Sequence, residues 1–254
     1  MNRFKAALVH FLISVIVFSL FLSLVFFIWY AYPFNVTQGV AEIVYMMAGV
    51  DIVLGPLLTL IVFNTAKKSL KFDLSVIGAF QLIALLYGGY IIYSERPAWV
   101  VFAKDRFEVV GLSEVDSQQL LDKSLDVGVL DKPRLVYAEP ATGDEASDIL
   151  FEAVSGGKDI DRRPKFYRSY SESSSSVVAG LSELHEHSEV QAAVTDTERL
   201  RWAPVKGKLK SIVALVDKNT GSIVDYLMIY PWSEKADNSQ PAAIPAVPEP
   251  TISK

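Results

Sequence analysis

The residue in this sequence best placed to do chemistry is Asp51, which lies near the middle of a stretch otherwise apolar enough to cross a membrane. A carboxylate at the centre of a bilayer costs about 2.5–3.5 kcal/mol on insertion scales, so it normally faces a partner rather than lipid. Ala48, Gly55 and Thr59 share one helical face with Asp51, and all are small or polar. Small residues let a second helix approach closely. The sequence therefore predicts a helix-docking face made of Ala48, Asp51, Gly55 and Thr59.

Pro56 lies within the same stretch and leaves the carbonyl of Ile52 without its helical donor, which predicts a distortion of the helix near Asp51. What the docking face contacts stays open at this point. It packs inside the chain, or it receives a helix of another protein, or it belongs to a proton or ion pathway. A pathway would need a chain of such groups, and Glu42 does not extend one. The intramolecular candidates for a hydrogen bond to Asp51 are Ser19, Gln81 and Tyr87.

Elsewhere the sequence offers little for catalysis. His185 and His187 flank Glu186, and this spacing puts both imidazoles on one face only if the segment is a strand. No third ligand lies at a zinc-motif spacing, so a solvated polar segment is the favoured interpretation. The sequence contains no cysteine and no nucleophile-elbow, Ser-x-x-Lys or His-Glu-x-x-His pattern. We therefore predict no catalytic residue, no metal site, no cofactor and no enzymatic activity.

The charge distribution also limits the possible partners. The net charge of −5 gives no support to nucleic-acid binding, which relies on clustered Lys and Arg. One basic and aromatic segment occupies residues 162–168. It is interpreted as ordinary solvated surface, with anionic lipid or an acidic partner as the alternative contact.

Three apolar stretches, at residues 7–30, 40–63 and 74–93, reach the roughly 20 residues that a membrane-spanning helix needs. The first is interpreted as an uncleaved anchor rather than a signal peptide, because it is long and ends in large aromatic residues. Lys and Arg precede the first stretch and lie between the second and third. The positive-inside rule then puts the amino terminus in the cytoplasm and the carboxyl-terminal part on the opposite side.

The sequence predicts three regions: a transmembrane region at 1–95, an exported α+β domain at 96–232 with antiparallel β-hairpins, and a disordered Pro-rich tail at 233–254. The predicted hairpins cover residues 99–110 and 209–230, and a separate strand covers 134–138. Short helices are predicted at 116–125 and 188–194. A further helix is expected to start from a capping box of Thr142 and Glu145 and to reach about Val154.

Several motifs in the first 110 residues carry a family resemblance. They are MNRFKA at 1–6, GVDIVLGPLLTL at 49–60, KKSLKFDL at 67–74, RP at 96–97 and DRFEV at 105–109. With these motifs the chain resembles the type IV pilin accessory proteins of the TfpX/TfpZ type. Beyond residue 110 the resemblance rests mainly on length and on a domain that ends in a strand and Pro231-Trp232.

The resemblance implies a multi-pass protein of the bacterial inner membrane, with a periplasmic domain, that supports type IV pilus assembly. Its implied partner is the major pilin subunit, with other pilus assembly proteins as further partners, and it brings no catalytic residues. A pilin waits in the membrane through its own apolar helix, so we hypothesise a chaperone or assembly modulator that docks this helix near Asp51. The alternatives are a scaffold that binds the pilus machinery through its periplasmic domain, and a pilin-modifying membrane enzyme that uses Asp51 as an acid or base.

Overall fold

The computed structural model describes residues 2–232, which form three long helices followed by a domain built on one sheet. The helices are α1 (Arg3–Trp29), α2 (Phe34–Thr37), α3 (Val40–Val62), α4 (Leu70–Ser94), α5 (Asp144–Val154), α6 (Ser174–Ala179) and α7 (Ser188–Ala193). By length and composition, α1, α3 and α4 are apolar enough to cross a membrane. At 1.5 Å per residue they measure about 35–40 Å, against about 30 Å of hydrocarbon. The predicted fold class, three such helices before an α+β domain, is confirmed.

Two of the long helices contain a π-helical stretch. Residues Val25–Trp29 end α1 in this form, and residues Gly49–Leu54 form one in the middle of α3. There the amide of Gly55 donates to the carbonyl of Val50, five residues back. Because Pro56 follows directly and has no amide hydrogen, the wider turn lies where the regular hydrogen-bond ladder is already interrupted. The widened turn includes Asp51.

The domain contains a single seven-stranded sheet in the order β4-β3-β1-β2-β5-β6-β7. The strands are β1 (Pro97–Ala103), β2 (Arg106–Gly111), β3 (Arg134–Ala138), β4 (Tyr167–Ser169), β5 (Leu200–Lys206), β6 (Ile212–Asp217) and β7 (Ile223–Leu227). Both predicted hairpins are present: β1 pairs antiparallel with β2, and β6 with β7. The strand predicted at 134–138 is β3, which lies parallel to β1, and β5 lies parallel to β2.

The apolar sequence of β1 explains its central position. All seven residues of β1 are buried, as expected of a strand covered on both faces. On one face Trp99 and Val101 pack in a cluster with Ile149 of α5 and with Tyr167. On the other face Phe102 packs with Phe107 and with residues of β5, β6 and α6. The sheet thus lies between two hydrophobic cores. Its first strand begins only three residues after α4 ends.

Two local predictions were wrong. Residues 116–125 form two short 3₁₀ turns, Ser117–Gln119 and Lys123–Leu125, rather than one helix. The side chains of Asp116 and Asp122 each accept a backbone amide two residues on, which starts a new turn at each aspartate. The helix predicted after Thr142 is present as α5, but Gly143 is its N-cap and no side chain caps it.

Other elements were absent from the sequence predictions. The strand β5 was not predicted; it contains Pro204, which cannot donate to a ladder. In the structure, β5 pairs with β2 only through Val205 and Lys206, beyond the proline. The short helix α6 and the short edge strand β4 were also not predicted. The predicted tail at 233–254 lies outside the described residues.

Candidate functional site

The docking face on α3 is contacted by polar side chains of α1 and α4. The hydroxyl of Thr59 lies 2.6 Å from Nδ1 of His10, and Nε2 of His10 lies 2.7 Å from Oε1 of Gln81. The Gln81 amide donates in turn to the backbone carbonyl of Asp51 at 3.0 Å. These contacts form a continuous chain of hydrogen bonds through the three helices. In an apolar surrounding such bonds tie helices together because no water competes for the polar groups.

Gly55 makes this packing possible. A Cβ atom at Gly55 would overlap the side-chain amide of Gln81, so only glycine leaves room for Gln81 to reach Asp51. Ala48 lies half-buried against the apolar cluster that joins the three helices. Of the three intramolecular candidates, Gln81 contacts Asp51, whereas Ser19 and Tyr87 are exposed. The docking of a foreign helix on this face stays a prediction.

Asp51 is buried, with only 6% of the residue exposed. Within residues 2–232, its Oδ2 atom has no hydrogen-bond partner. A buried polar oxygen without a partner costs several kcal/mol in an apolar environment, and a charged one costs more. The unpartnered oxygen therefore destabilises the site. A hydrogen-bond donor that reached Oδ2 would recover part of this free-energy cost.

A groove leads to Asp51 between α1 and α4. Its volume is about 210 Å³, and its lining is largely apolar. The lining residues are His10, Ile13, Ser14, Val17, Phe18, Asp51, Gly78, Gln81, Leu82 and Leu85. Ile13, Val17 and Leu82 are exposed on the helix surface, so the groove opens sideways, on the outer surface of the helix bundle. We call this feature the Asp51 groove.

Gly78 keeps the groove open. A Cβ atom added at Gly78 would meet nothing within 4 Å, in contrast to the crowding at Gly55. Sequence reasoning missed both Gly78 and His10 as parts of this site. The available signal was the presence of a histidine inside the first apolar stretch, but its pairing with Thr59 depends on how α1 is rotated against α3.

The domain carries a separate polar cleft of about 540 Å³, with two buried carboxylates in its lining. Burial raises the pKa of Glu108 above its usual range, and the negative charge of Asp161 raises it further. Lys206, whose Nζ lies 3.2 Å from Oε1 of Glu108, opposes the shift. Burial likewise raises the pKa of Asp161, which is paired with Arg162.

The raised pKa of Glu108 predicts a pH-dependent stability. Between the ordinary glutamate pKa and the raised folded-state value, the folded chain binds more protons than the unfolded chain, so the unfolding free energy falls as pH rises through this window. We expect this fall to be less steep in Glu108→Gln. Urea unfolding of the full chain in detergent between about pH 4 and about pH 8 measures it. The exposed Glu189→Gln is the control, and identical slopes in the two variants would contradict the prediction.

The two other segments noted in the sequence have structural roles. His187 is buried with its ring 5.4 Å from that of Trp202, while His185 is exposed, so the two imidazoles do not share a face. The basic side chains of residues 162–168 pair with acidic side chains of the same domain. These pairs are Arg162–Glu114, Arg163–Glu152, Lys165–Glu145 and Arg168–Glu139. The segment is thus ion-paired within the domain.

Comparison with known proteins connects this architecture to a family. The model of the fimbrial assembly protein FimB matches residues 1–39, which include all of α1 with His10. The chain is 32% identical over 172 residues to a fimbrial assembly protein, serogroup I, of Dichelobacter nodosus, which covers 66% of each chain. It is 37% identical over 113 residues to the fimbrial assembly protein of serogroups C1 and C2 from the same organism, covering 44% of this chain and 86% of that protein. The chain belongs to the fimbrial assembly protein family.

This membership confirms the resemblance inferred from the amino-terminal motifs. No solved structure matches the chain.

Proposed function

We propose that this fimbrial assembly protein is a non-enzymatic accessory protein of type IV pilus biogenesis that acts as a chaperone or assembly modulator of the major pilin. Support at the level of pilus biogenesis comes from the relatives, which are named fimbrial assembly proteins. The three apolar helices support a place in the bacterial inner membrane. The distribution of lysine and arginine supports a cytoplasmic amino terminus and a periplasmic domain.

The chaperone proposal rests on one observation, the open Asp51 groove. A pilin subunit waits in the membrane through an apolar helix, and a groove that opens sideways between α1 and α4 receives such a helix without leaving the bilayer. Association inside a membrane depends on close packing and on hydrogen bonds between helices. Gly78 provides the space for packing, and Oδ2 of Asp51 provides an acceptor that has no partner among residues 2–232.

The polar contacts at the groove favour docking over catalysis. A second titratable group beside Asp51, free to exchange a proton, would support a role in acid–base chemistry. The other titratable side chain in the groove lining is His10, and both of its ring nitrogens are engaged, one with Thr59 and one with Gln81. Asp51 then functions as a hydrogen-bond acceptor for the docked helix rather than as a catalyst.

Photocrosslinking in living cells tests this proposal. A photoreactive residue at Gly55 or Thr59 would disturb the contacts with Gln81 and His10, so the probe belongs at Leu82, which lines the groove and is exposed. The control is Phe80 on the same helix, which is exposed but outside the groove lining. We expect Leu82 to capture the major pilin severalfold more than Phe80 does, since only the probe at Leu82 lies in the groove, within reach of a helix docked there. Capture of machinery proteins alone, or equal capture of pilin, would contradict the proposal.

A further inference from the structure

A loop of the domain is fastened to the ends of α1 and α4. The indole Nε1 of Trp29, the last residue of α1, donates to the carbonyl of Val129 at 2.7 Å. The guanidinium of Arg96, two residues beyond α4, donates to the carbonyls of Gly128 at 2.8 Å and Asp131 at 3.3 Å. Arg96 is fully buried. Residues 126–132, here called the first collar loop, are thus held where two long helices end.

A second loop is fastened to the connection between α1 and α3. The amides of Leu209 and Lys210 both donate to the carbonyl of Thr37, at 2.8 Å and 3.2 Å. Gly207 approaches so closely that a Cβ atom there would lie 2.7 Å from the same carbonyl. Thr37 is fully buried and lies three residues before α3 begins. Residues 207–211, here called the second collar loop, are therefore held at the same end of the helix bundle.

The depth of these attachments relative to a bilayer follows from the helix length. The 23 residues of α3 span about 35 Å, which exceeds the hydrocarbon thickness by only a few ångströms. Thr37 therefore lies in the headgroup region on the domain side, and so do the collar loops bonded to it and to Trp29. The contacts fix both loops at this depth, since they involve backbone atoms and buried side chains.

Both collar loops present exposed apolar side chains at this depth. Val129 is 56% exposed, Leu130 68% and Leu209 57%. A lysine follows within two residues in each loop, Lys132 in the first and Lys210 in the second. Leu209 and Lys210 also line a cleft of about 600 Å³ together with Met228, Tyr230 and Trp232. In the second loop, apolar side chains beside lysine, tyrosine and tryptophan are the composition of segments that lie in the membrane interface. In the first loop, the carboxylates of Asp126 and Asp131 accept the loop's own amides of Val127 and Gly128, which leaves Lys132 as its cationic side chain.

We infer that the two collar loops insert into the lipid headgroup layer on the domain side of the membrane. Val129, Leu130 and Leu209 contact the upper acyl chains, while Lys132 and Lys210 lie at the level of the anionic phosphates. The occupant of this surface is phospholipid, because the same loops are bonded to the ends of helices that lipid surrounds. Two separate attachments, one at the ends of α1 and α4 and one just before α3, hold the sheet in one orientation above the membrane. This inference is independent of the partner in the Asp51 groove.

The absence of cysteine from the sequence allows a direct test. Leu130→Cys and Leu209→Cys are spin-labelled separately in the full-length protein, reconstituted at one copy per phospholipid nanodisc. The matched control is Val154→Cys, since Val154 is also apolar and 80% exposed but lies at the end of α5. Power saturation compares collisions of each label with oxygen, which concentrates in lipid, and with a water-soluble nickel chelate. Thermal unfolding verifies that all three variants fold.

We expect the labels at 130 and 209 to collide severalfold more with oxygen than with nickel, and the label at 154 to show the reverse. Nickel collisions at 130 or 209 as frequent as at 154 would place that loop in water and overturn the inference. Low accessibility to both reagents at either loop position would mean coverage by protein rather than lipid, and it would overturn the inference as well.

Discussion

Replacing Arg96 by alanine lowers the unfolding free energy of the full chain by about 3–5 kcal/mol. The two charge-assisted hydrogen bonds to Gly128 and Asp131 each contribute about 1.5–3 kcal/mol, and the carbonyls left behind lose their partners. The guanidinium also stacks 5.0 Å from the ring centre of Tyr93, a contact that adds to the loss. Desolvation of the buried charge offsets part of these gains, which keeps the expected effect below their sum.

Urea unfolding in detergent, followed by tryptophan fluorescence, measures this change. The control is Arg106→Ala, because Arg106 pairs with its neighbour Asp105 and both side chains are exposed, at 36% and 61%. Exposed ion pairs contribute little, so this control stays close to the native chain. The first collar loop of Arg96→Ala is also expected to become sensitive to limited proteolysis. Equal stability of the two variants would show that Arg96 does not hold the domain to the helix bundle.

The same contacts connect the two halves of the molecule. Trp29 and Arg96 hold the first collar loop, and Thr37 holds the second, so the domain is bonded to the helix ends at separate points. A helix that entered the Asp51 groove would emerge beside a domain already fixed in orientation. In the chaperone proposal, this arrangement lets one protein contact the membrane helix of a pilin and its exported head at the same time.

The sequence predicted the elements whose signals are local. The apolar stretches, the β1–β2 and β6–β7 hairpins and α5 all carry their patterns within a short segment. The 116–125 prediction failed because Leu120 and Leu125 suggested a helical face, whereas the capping side chains of Asp116 and Asp122 divide the segment. The strand β5 was missed; it contains Pro204, a residue depleted in strands, and its pairing with β2 involves only Val205 and Lys206.

The site was predicted only in part, for a related reason. The spacing of Asp51, Gly55 and Thr59 showed one face of α3, because small and polar residues stand out in an apolar helix. Helices α1 and α4 are apolar on all sides, so their sequences do not show which face turns toward α3. The contacts of His10 and Gln81 therefore required the three-dimensional structure. The collar loops required it as well, since Trp29 and Val129 are 100 residues apart.

Closing the Asp51 groove is expected to cause the largest functional loss. In Gly78→Leu the new side chain enters the open space above Asp51, because a Cβ atom there meets nothing within 4 Å. Gly49→Leu is the matched control: Gly49 is equally uncrowded, lies in α3 and is outside the groove lining. Both changes replace glycine in a helix with a better helix former, so neither is expected to lower the protein level.

The most direct test counts surface pili in cells that carry either variant as the only copy of the gene. The count is normalised to the level of the variant protein. A groove that must receive the pilin helix predicts at least about a tenfold loss for Gly78→Leu, as expected when a blocked contact of about 1.4 kcal/mol or more limits assembly. Gly49→Leu is expected to keep native piliation. Normal piliation in Gly78→Leu, at a normal protein level, would contradict the claim that the Asp51 groove is where this protein acts.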